Sequence, residues 1–555
     1  AAGTSVRFSI CLPKDLLPSR VEFVLCSDGE NDRFFPMELC ESTLRFNRYT
    51  LRYTPRHPKL HFYYFQVTEA DGTLHIIHAN ESMCGELNLH SDRYWQLTVY
   101  DPSHKRPAAL GNGIIYQIFP DRFCNSGSPK QNVPADRTLR TDWGNLPVYL
   151  PNEKGEMTNS DYFGGDLAGI TQHLDYLAQL GVTCLYLNPI FEAHSNHRYN
   201  TADYRKIDPL LGTEEDFRQL CDAAHQAGMA VILDGVFSHT GSDSIYFNRE
   251  GRYGNSGAFR DPQSPYRKWY QFEQYPYRYH SWWGIDTLPN VNEEEPTYLD
   301  FICADDGVLA FWMGLGADGF RLDVADELPD CFLDAVRRQL KKHGARLLIG
   351  EVWEDASNKV SYGALREYFL GSELDATMHY PFRTAVLDFL LGKIHAQAAC
   401  DAFWTIQEHY PKENLHAALN LIGSHDRARV LTVLGGDVNA LKMAMFLQFA
   451  LPGVPSIYYG DEAGMTGGTD PYNRGSFPWG KGNAPLTDFV RSLTAMYQET
   501  PLLRRGECEM VFFGENVLGC RRFDESGSVL ALVNRGEEAV ECFGVTVPGR
   551  GYILE

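Results

Sequence analysis

Three carboxylic acids follow short apolar runs of the chain, each where a buried strand would end. Asp323 closes the segment Gly-Phe-Arg-Leu-Asp, Glu351 closes Leu-Ile-Gly-Glu, and Asp426 closes Ile-Gly-Ser-His-Asp. The 28 positions between Asp323 and Glu351 match one strand-helix repeat, which would put these two acids on neighbouring parallel strands. Two carboxyl groups held about 5 Å apart cleave glycosidic bonds with retention of configuration. The spacing therefore predicts paired-carboxylate chemistry on a sugar.

The residues around the first two acids predict a division of roles. Arg321 precedes Asp323 by two positions and so lies on the same side of the strand, where its guanidinium would keep the carboxylate ionised, as a nucleophile must be. Glu351 is followed by Val352 and Trp353, an apolar setting that raises the pKa of a carboxyl group and suits a general acid. We therefore predict that Asp323 attacks and that Glu351 donates the proton.

A third acid and two histidines complete the candidate site. Asp426 would balance the positive charge that develops on the sugar in an oxocarbenium-like transition state. His239 and His425 are suited to bind sugar hydroxyls. A single carboxylate after a strand more often caps a helix or forms an ion pair. Three such acids together with an arginine and two histidines favour the catalytic interpretation.

A barrel of parallel strands is the element that would bring these residues together. Over residues 111–495, β-rich runs alternate with helical segments, as in a (β/α)8 TIM barrel of the α/β class, whose catalytic residues lie at the carboxyl ends of the strands. The clearest helix spans 329–343 and is followed by Gly344. The candidate strands are 113–119, 182–187, 229–236, 317–323, 346–352, 375–380, 417–424 and 455–459.

Three further segments accompany the predicted barrel. Residues 1–110 show strand-length apolar runs and Asp-Gly turns, which predict an N-terminal β-sandwich like a carbohydrate-binding module, with a linker at 101–107. A segment rich in Tyr, Trp, Gly and Arg, roughly 238–297, predicts a subdomain inserted after the third strand, where long insertions shape the active-site mouth. Residues 496–555 predict a smaller C-terminal β-sandwich.

Composition narrows the partners and the compartment. The 555 residues include 72 acidic and 50 basic side chains, and a net charge of −22 repels nucleic acid and anionic membranes. No apolar run reaches the roughly 20 residues of a membrane helix. The first residues lack a signal-peptide pattern, and the 13 cysteines contain no CxxC pair. We expect a cytoplasmic protein, although a leader removed ahead of Ala1 would leave the same sequence.

Four sequence blocks carry a resemblance to a known family. They are Asp-Gly-Val-Phe-Ser-His at 234–239, Gly-Phe-Arg-Leu-Asp-Val-Ala-Asp at 319–326, Gly-Glu-Val-Trp at 350–353 and Asn-Leu-Ile-Gly-Ser-His-Asp at 420–426. Their order, spacing and strand context resemble the α-amylase family, glycoside hydrolase family 13. The N-terminal β domain, Leu-Pro-Asn-Val-Asn at 288–292 and Tyr-Gly-Asp-Glu at 459–462 are similar to its neopullulanase, cyclomaltodextrinase and maltogenic amylase group.

The resemblance implies a role for individual positions. The three acids keep the roles given above, with Glu351 also acting as the base, and Arg321, His239 and His425 would contact the glucose at the cleavage site. Tyr199, in the segment His-Arg-Tyr, would stack beneath that ring. The other implied sugar-binding residues are His197, Trp353 and, on the non-reducing side, Asp470 and Arg474.

Two departures from the family pattern concern hydrogen bonding and metal binding. Ser238 stands where the family usually has Asn, which weakens any contact that the Asn would make. Some relatives bind calcium in a loop after Asp-Arg-Phe; here Asn125, Gly164 and Asp166 are the candidate oxygen ligands, whereas calcium takes about six to eight. Capping of the loop explains these three residues at least equally well, and the chemistry itself requires no cofactor.

The resemblance also implies an activity and an assembly. We expect hydrolysis of α-1,4 bonds in cyclodextrins, pullulan or maltooligosaccharides by double displacement, with a transglycosylase acting on maltooligosaccharides as the alternative. A non-catalytic glucan-binding protein is disfavoured because all three acids are present. The resemblance further implies a homodimer in which the N-terminal domain of one chain covers the active site of the other. Which glucan is preferred stays open.

Overall fold

Eight parallel strands form a ring at the centre of the molecule, which is described by a computed structural model. Counted along the chain, the sheet runs in the order 6-5-4-3-2-1-8-7, and a parallel bridge between Met378 and Leu419 joins the sixth strand to the seventh. The predicted TIM barrel is therefore confirmed, and all eight strands overlap their predicted positions. Their bounds are Ile114–Ile118, Val182–Leu187, Ala230–Gly235, Gly319–Leu322, Leu347–Gly350, Ala376–Thr377, Leu419–Leu421 and Val454–Tyr458.

The description covers most of the chain. The linker predicted at 101–107 lies partly outside it, and within it no helix is long and apolar enough to cross a membrane. All 13 cysteines are described and free. The described residues are 1–80, 83–89, 93–103, 105, 107–110, 113–135, 137–151, 153, 155, 157, 159–344, 346–371 and 373–555.

Helices follow the strands and bury apolar side chains against the ring. The helix predicted at 329–343 is observed at Asp330–Lys342, and Gly344 after it has a φ of +90°, a left-handed conformation that glycine adopts without strain. The α-helices are Pro120–Phe123, Leu167–Thr171, Leu174–Gln179, Glu214–Gln226, Pro296–Cys303, Val308–Gly314, Asp330–Lys342, Tyr380–Leu390, Ala396–His409, Lys412–Ala417, Val430–Val433, Val438–Ala450, Ala484–Glu499 and Pro501–Arg505.

Two β domains flank the barrel. The N-terminal sheets enclose a core that includes Phe8, Phe23 and Phe65. The C-terminal domain has a four-stranded antiparallel sheet and a short hairpin. The N-terminal strands are Val6–Pro13, Pro18–Cys26, Arg33–Pro36, Glu38–Ser42, Phe46–Tyr53, Lys59–Glu69, Leu74–Ala79, Gly85–Asn88 and Trp95–Val99, and the C-terminal strands are Glu507–Phe513, Val517–Asp524, Gly527–Asn534, Val540–Cys542, Val545–Val547 and Gly551–Leu554.

The segment inserted after the third strand is mostly irregular. A short hairpin pairs Phe272–Gln274 with Arg278–Tyr279, and isolated bridges such as His239–Asn290 tie the segment back to the end of the third strand. Trp269 and Tyr270 are buried within it, whereas Trp282 and Trp283 border a cavity. Outside the insertion, the remaining short strands pair as Thr138–Leu139 with Asp161–Tyr162, Phe191–Ala193 with Thr201–Ile207, and Val360–Ser361 with Ala364–Leu365.

The N-terminal domain is attached to the barrel through its last strand. Gln96 donates from Nε2 to Ser357 Oγ at 2.8 Å and accepts from Asn358 Nδ2 at 2.8 Å, and Thr98 Oγ1 donates to the carbonyl of His409 at 2.6 Å. Ser357 and Asn358 belong to the loop that leaves the fifth strand just beyond Glu351. The domain therefore holds the segment that follows one of the candidate catalytic acids.

Candidate active site

The three predicted acids meet at the carboxyl end of the barrel. Asp323 and Glu351 directly follow the fourth and fifth strands, and Asp426 lies a few residues beyond the seventh. All three border a cavity of about 760 Å³. Of the other predicted sugar contacts, those that line it are His197, Tyr199, His239, Trp353, His425, Asp470 and Arg474.

One fully buried guanidinium joins the acids. Arg321 Nη1 lies 2.8 Å from Asp323 Oδ1 and 2.6 Å from Asp234 Oδ1, and its Nη2 lies 2.9 Å from Glu351 Oε2. Because the two terminal nitrogens of one guanidinium contact Asp323 and Glu351, the two carboxyl groups are close neighbours, as a double-displacement site requires. Asp234, at the end of the third strand, contacts the same nitrogen as Asp323 and helps to orient Arg321.

Burial raises the pKa of each of the three predicted catalytic acids. It raises the pKa of Glu351, as predicted, and that of Asp426. It also raises the pKa of Asp323 well above its usual range, and the charge of Glu351 adds to this effect while Arg321 opposes it. Arg321 therefore acts on Asp323 in the predicted direction, towards the ionised form that a nucleophile needs, against the larger effect of burial.

Two further donors fix the carboxyl group of Glu351. The backbone N–H of Val324 donates to Oε2 at 2.8 Å, and Trp353 Nε1–H donates to Oε1 at 3.2 Å. Val324 has φ +39° and ψ 59°, a left-handed conformation that is strained for a β-branched residue. The backbone just after Asp323 thus adopts a costly turn that directs its N–H group at Glu351.

A network of neutral rings forms one wall of the cavity. The hydroxyl of Tyr199 donates to Asp234 Oδ2 at 2.7 Å and lies 2.5 Å from His425 Nε2, and the two rings are parallel with centroids 5.3 Å apart. Gln117 Nε2 donates to His425 Nδ1 at 2.8 Å, so the hydrogen of this imidazole is on Nε2. Gln117, on the first strand, is a functional candidate that the sequence motifs do not contain.

Burial keeps the other two histidines uncharged. It lowers the pKa of His239 to about 4 and that of His197 to about 3. Both ring nitrogens of His239 have protein partners, the hydroxyl of Ser238 at 2.9 Å and the carbonyl of Tyr199 at 3.2 Å. His197 Nδ1 accepts the backbone N–H of Tyr199 at 3.1 Å, which leaves its Nε2–H group for a sugar hydroxyl.

Asp470 and Arg474 lie beside the third acid. Arg474 Nη1 is 3.0 Å from Asp470 Oδ1, its Nη2 is 3.8 Å from Asp426 Oδ1, and its Nε donates to the carbonyl of His425 at 3.1 Å. The arginine therefore connects the predicted non-reducing-side residues to Asp426.

Several residues that border the cavity have no role implied by the motifs. Glu327 accepts from Trp283 Nε1 at 3.3 Å and from the hydroxyl of Tyr362, and both aromatic side chains are 78% exposed. Lys359 lies between Asp326, at 3.1 Å, and Glu354. Asp326 ends the second sequence block and Glu354 directly follows the third, but their contacts with Lys359 depend on side-chain packing, which the sequence pattern does not specify.

Two of the residues predicted as possible calcium ligands, Asp166 and Asn125, have protein partners in the loop. Asp166 caps a helix through the N–H of Gly169 at 2.6 Å, accepts from Ser126 Oγ at 2.7 Å and is ion-paired with Lys130. Asn125 accepts the N–H of Gly127 at 2.9 Å. Within the described ranges, no group of three or more Asp, Glu, His or Cys residues is arranged to hold a metal ion. Lys130 places a positive charge beside the carboxylate of Asp166. The hydrogen bonds of Asp166 and Asn125 to backbone N–H groups favour the loop-capping interpretation of these residues.

Paired acids joined by an arginine at the carboxyl end of a TIM barrel define a glycosidase-type site. The α-amylase catalytic-domain family model matches residues 117–486. An amylopullulanase of Thermoanaerobacter thermohydrosulfuricus is 35% identical over 87% of this chain and 37% of its own length. A cyclomaltodextrinase of Geobacillus thermopakistaniensis is 35% identical over 78% of this chain and 71% of its own. The solved type III pullulan hydrolase of Thermococcus kodakarensis has a TM-score of 0.71 at 27% identity, over 100% of this chain and 97% of that one.

The chain belongs to the α-amylase family. Relatives named cyclomaltodextrinase, maltogenic α-amylase and neopullulanase confirm the group indicated by the four sequence blocks. The first three curated relatives are amylopullulanases, and the chain spans only 29% to 40% of their length.

Proposed function

We propose that this protein is a retaining α-glucan hydrolase that cleaves α-1,4-glucosidic bonds in cyclodextrins, pullulan or maltooligosaccharides. The observation that carries the proposal is Arg321, which contacts Asp323 at 2.8 Å and Glu351 at 2.9 Å. Such a pair, with Asp426 at the same cavity, matches the requirements of double displacement. Family membership and the names of the relatives support the same reaction.

The reaction proceeds in two displacements. Asp323 attacks the anomeric carbon while Glu351 gives its proton to the leaving oxygen, so that the glycosidic bond breaks and a β-linked glucosyl ester forms on Asp323. Glu351, now ionised, takes a proton from water, which attacks the same carbon and releases the sugar with its α configuration. The raised pKa of Glu351 keeps it protonated for the first step, and the positive charge that develops on the sugar favours the ionised forms of Asp323 and Asp426.

Sugar-binding roles complete the proposal. Tyr199 forms the platform under the glucose at the cleavage site, with His197, His239 and His425 near its hydroxyls. Asp470 and Arg474 hold the next unit on the non-reducing side, and their contacts with the Asp426 region support this placement. The nucleophilic attack, the proton transfers and the sugar contacts are thus each assigned to a side chain of this protein.

We also propose a homodimer formed through the N-terminal domain and a cytoplasmic location. Apolar side chains exposed on that domain, Phe34 at 49%, Leu39 at 54% and Leu44 at 98%, support an association surface there. The free cysteines support a reducing compartment. Size-exclusion chromatography with light scattering tests the dimer, and a monomer at micromolar concentration would count against it.

The first test compares β-cyclodextrin, pullulan and soluble starch as substrates for the wild type and for Asp323→Asn. We expect cyclodextrin to be cleaved fastest and the variant to lose at least about 10⁴-fold in kcat, because the nucleophile is gone. Faster cleavage of starch would remove the cyclodextrin preference and leave the mechanism intact. Activity of Asp323→Asn equal to the wild type would refute the mechanism.

A further inference from the structure

Arg427, which directly follows Asp426, carries a guanidinium group without a polar partner in the described part of the chain. Its central carbon lies 4.2 Å from the ring centroid of Trp353, a cation–π contact. The side chain is exposed, in contrast to Arg321 and Arg474, whose guanidinium groups are paired with carboxylates. Its N–H donors are thus available to a ligand.

Trp353 is covered on both faces. On one side the ring of Tyr380 stacks on it with centroids 4.1 Å apart and planes 5° apart. Because two groups about 4 Å from one ring centre do not fit on the same face, Arg427 covers the other. Trp353, whose indole N–H points to Glu351, therefore has no free face on which a glucose ring could stack. A sugar approaching this position meets the guanidinium instead.

The position of Arg427 relative to the acids is fixed by its backbone. Its carbonyl oxygen accepts from Asn473 Nδ2 at 2.9 Å, and the same amide group donates to the carbonyl of His425 at 2.6 Å. Asn473 is fully buried, so the segment from His425 to Arg427 is held rigidly to the core. An ordered backbone thus holds the guanidinium against Trp353, which borders the cavity.

The contact between Trp353 and Glu351 indicates on which side of the cleavage site Arg427 lies. Under the proposed function, Asp470 and Arg474 hold the non-reducing side, and Glu351 faces the oxygen of the leaving group. Arg427 covers the tryptophan that donates to Glu351 Oε1 at 3.2 Å, whereas the guanidinium of Arg474 is paired with Asp470. Through Trp353, Arg427 is thus next to the acid that gives its proton to the leaving sugar.

We propose that Arg427 is a specificity-determining residue that donates hydrogen bonds to hydroxyl groups of the glucose unit on the leaving-group side. This inference rests on the proposed function. It adds that the glucose unit on the leaving-group side is recognised by hydrogen bonds from a guanidinium group and not by stacking on an aromatic ring. Because water and a sugar compete for the same glucosyl ester, the residue would also set the ratio of transfer to hydrolysis.

The test uses α-maltosyl fluoride as the donor and added glucose as the acceptor, with full-length protein. Fluoride release reports formation of the glycosyl-enzyme, and the ratio of maltotriose to maltose reports how it is shared between glucose and water. Glu351 is the base for both acceptors, so the ratio is insensitive to changes in that acid. Arg427→Met keeps an apolar chain over Trp353 and removes the donors. Arg521→Met is the matched control, since Arg521 is an exposed arginine 5.5 Å from the ring of Phe523, far along the chain in the C-terminal sheet.

We expect Arg427→Met to lower the transfer ratio about tenfold, which corresponds to about 1.4 kcal/mol, with Arg427→Lys between it and the wild type and Arg521→Met equal to the wild type. An unchanged or higher ratio in Arg427→Met, or no measurable transfer by a wild type that releases fluoride, would overturn the inference while the proposed function stands. A wild type that releases no fluoride would instead refute the proposed function, and the inference with it.

Discussion

At the residue scale, a few buried contacts decide how the acids behave. Arg321 contacts Asp234, Asp323 and Glu351 together, so removing it would leave several buried carboxyl groups without their common cation. The sequence was sufficient to predict the three acids and Arg321, because each lies at or near the end of an apolar strand. It was not sufficient for Arg427 and its contact with Trp353, because side-chain packing across two loops leaves no pattern of spacing.

The indole N–H of Trp353 stabilises the ionised form of Glu351, since a donor to a carboxylate favours its charged state. We expect Trp353→Phe to raise the pKa of Glu351 further. Because the first step needs protonated Glu351, the alkaline limb of the pH profile of kcat/KM would move to higher pH. The profile is measured with β-cyclodextrin. Trp404→Phe, at a half-exposed site on the helix Ala396–His409, serves as the control, and a limb that stays in place or moves to lower pH would contradict the role of the indole.

At the scale of elements, the barrel strands and the loops that follow them differ in how far the sequence determines them. The strands were predicted because apolar runs of strand length must be buried, and because these runs alternate along the chain with helical segments. The sequence predicted where the inserted segment lies but not its internal conformation. That conformation depends on bridges such as His239–Asn290, which join residues distant in the chain. For the loop at 124–130 the sequence left calcium binding and loop capping as alternatives, and the contacts of Asp166 with Lys130 and Gly169, which favour capping, belong to no motif.

Lys130 and Asp166 form a partly buried ion pair with side-chain exposures of 11% and 3%. We expect Lys130→Met to lower the free energy of unfolding by about 3 kcal/mol, because Asp166 would keep a buried charge without its cation. Thermal unfolding measures the change. Lys206→Met, at a 59% exposed site, is the control and should stay within about 0.5 kcal/mol of the wild type. The wild-type Tm should not respond to EDTA; a fall in Tm on chelation would show that the loop does bind a metal ion.

At the scale of the whole molecule, the N-terminal domain is connected to the catalytic loops. Gln96 and Thr98 reach Ser357, Asn358 and the carbonyl of His409, and Ser357 follows Glu351 by only a few residues. The sequence predicted the three domains in order but contained no signal for this contact, since hydrogen bonds between residues more than 250 positions apart follow only from how the domains dock. The docking therefore links the N-terminal domain to the loop that follows Glu351.

We expect Gln96→Ala to loosen the loop at 353–359, because Asn358 and Ser357 would lose buried hydrogen bonds worth about 1–3 kcal/mol. Hydrogen exchange of that loop should become faster, with a several-fold fall in kcat for β-cyclodextrin. Gln66→Ala, within the same domain but on a strand that contacts Glu22, should leave both unchanged. If exchange at 353–359 is the same in Gln96→Ala and in the wild type, the docking does not stabilise the loop.

The ion pair between Lys130 and Asp166 also bears on how the protein is made. A domain that must capture a metal ion to complete its fold depends on the supply of that ion while the chain is being synthesised. In this protein the cation is encoded in the chain and arrives with it, six residues after the start of the loop at 124–130. We therefore expect maturation of the loop to need no metal-loading step, and chelating buffers to leave the loop intact.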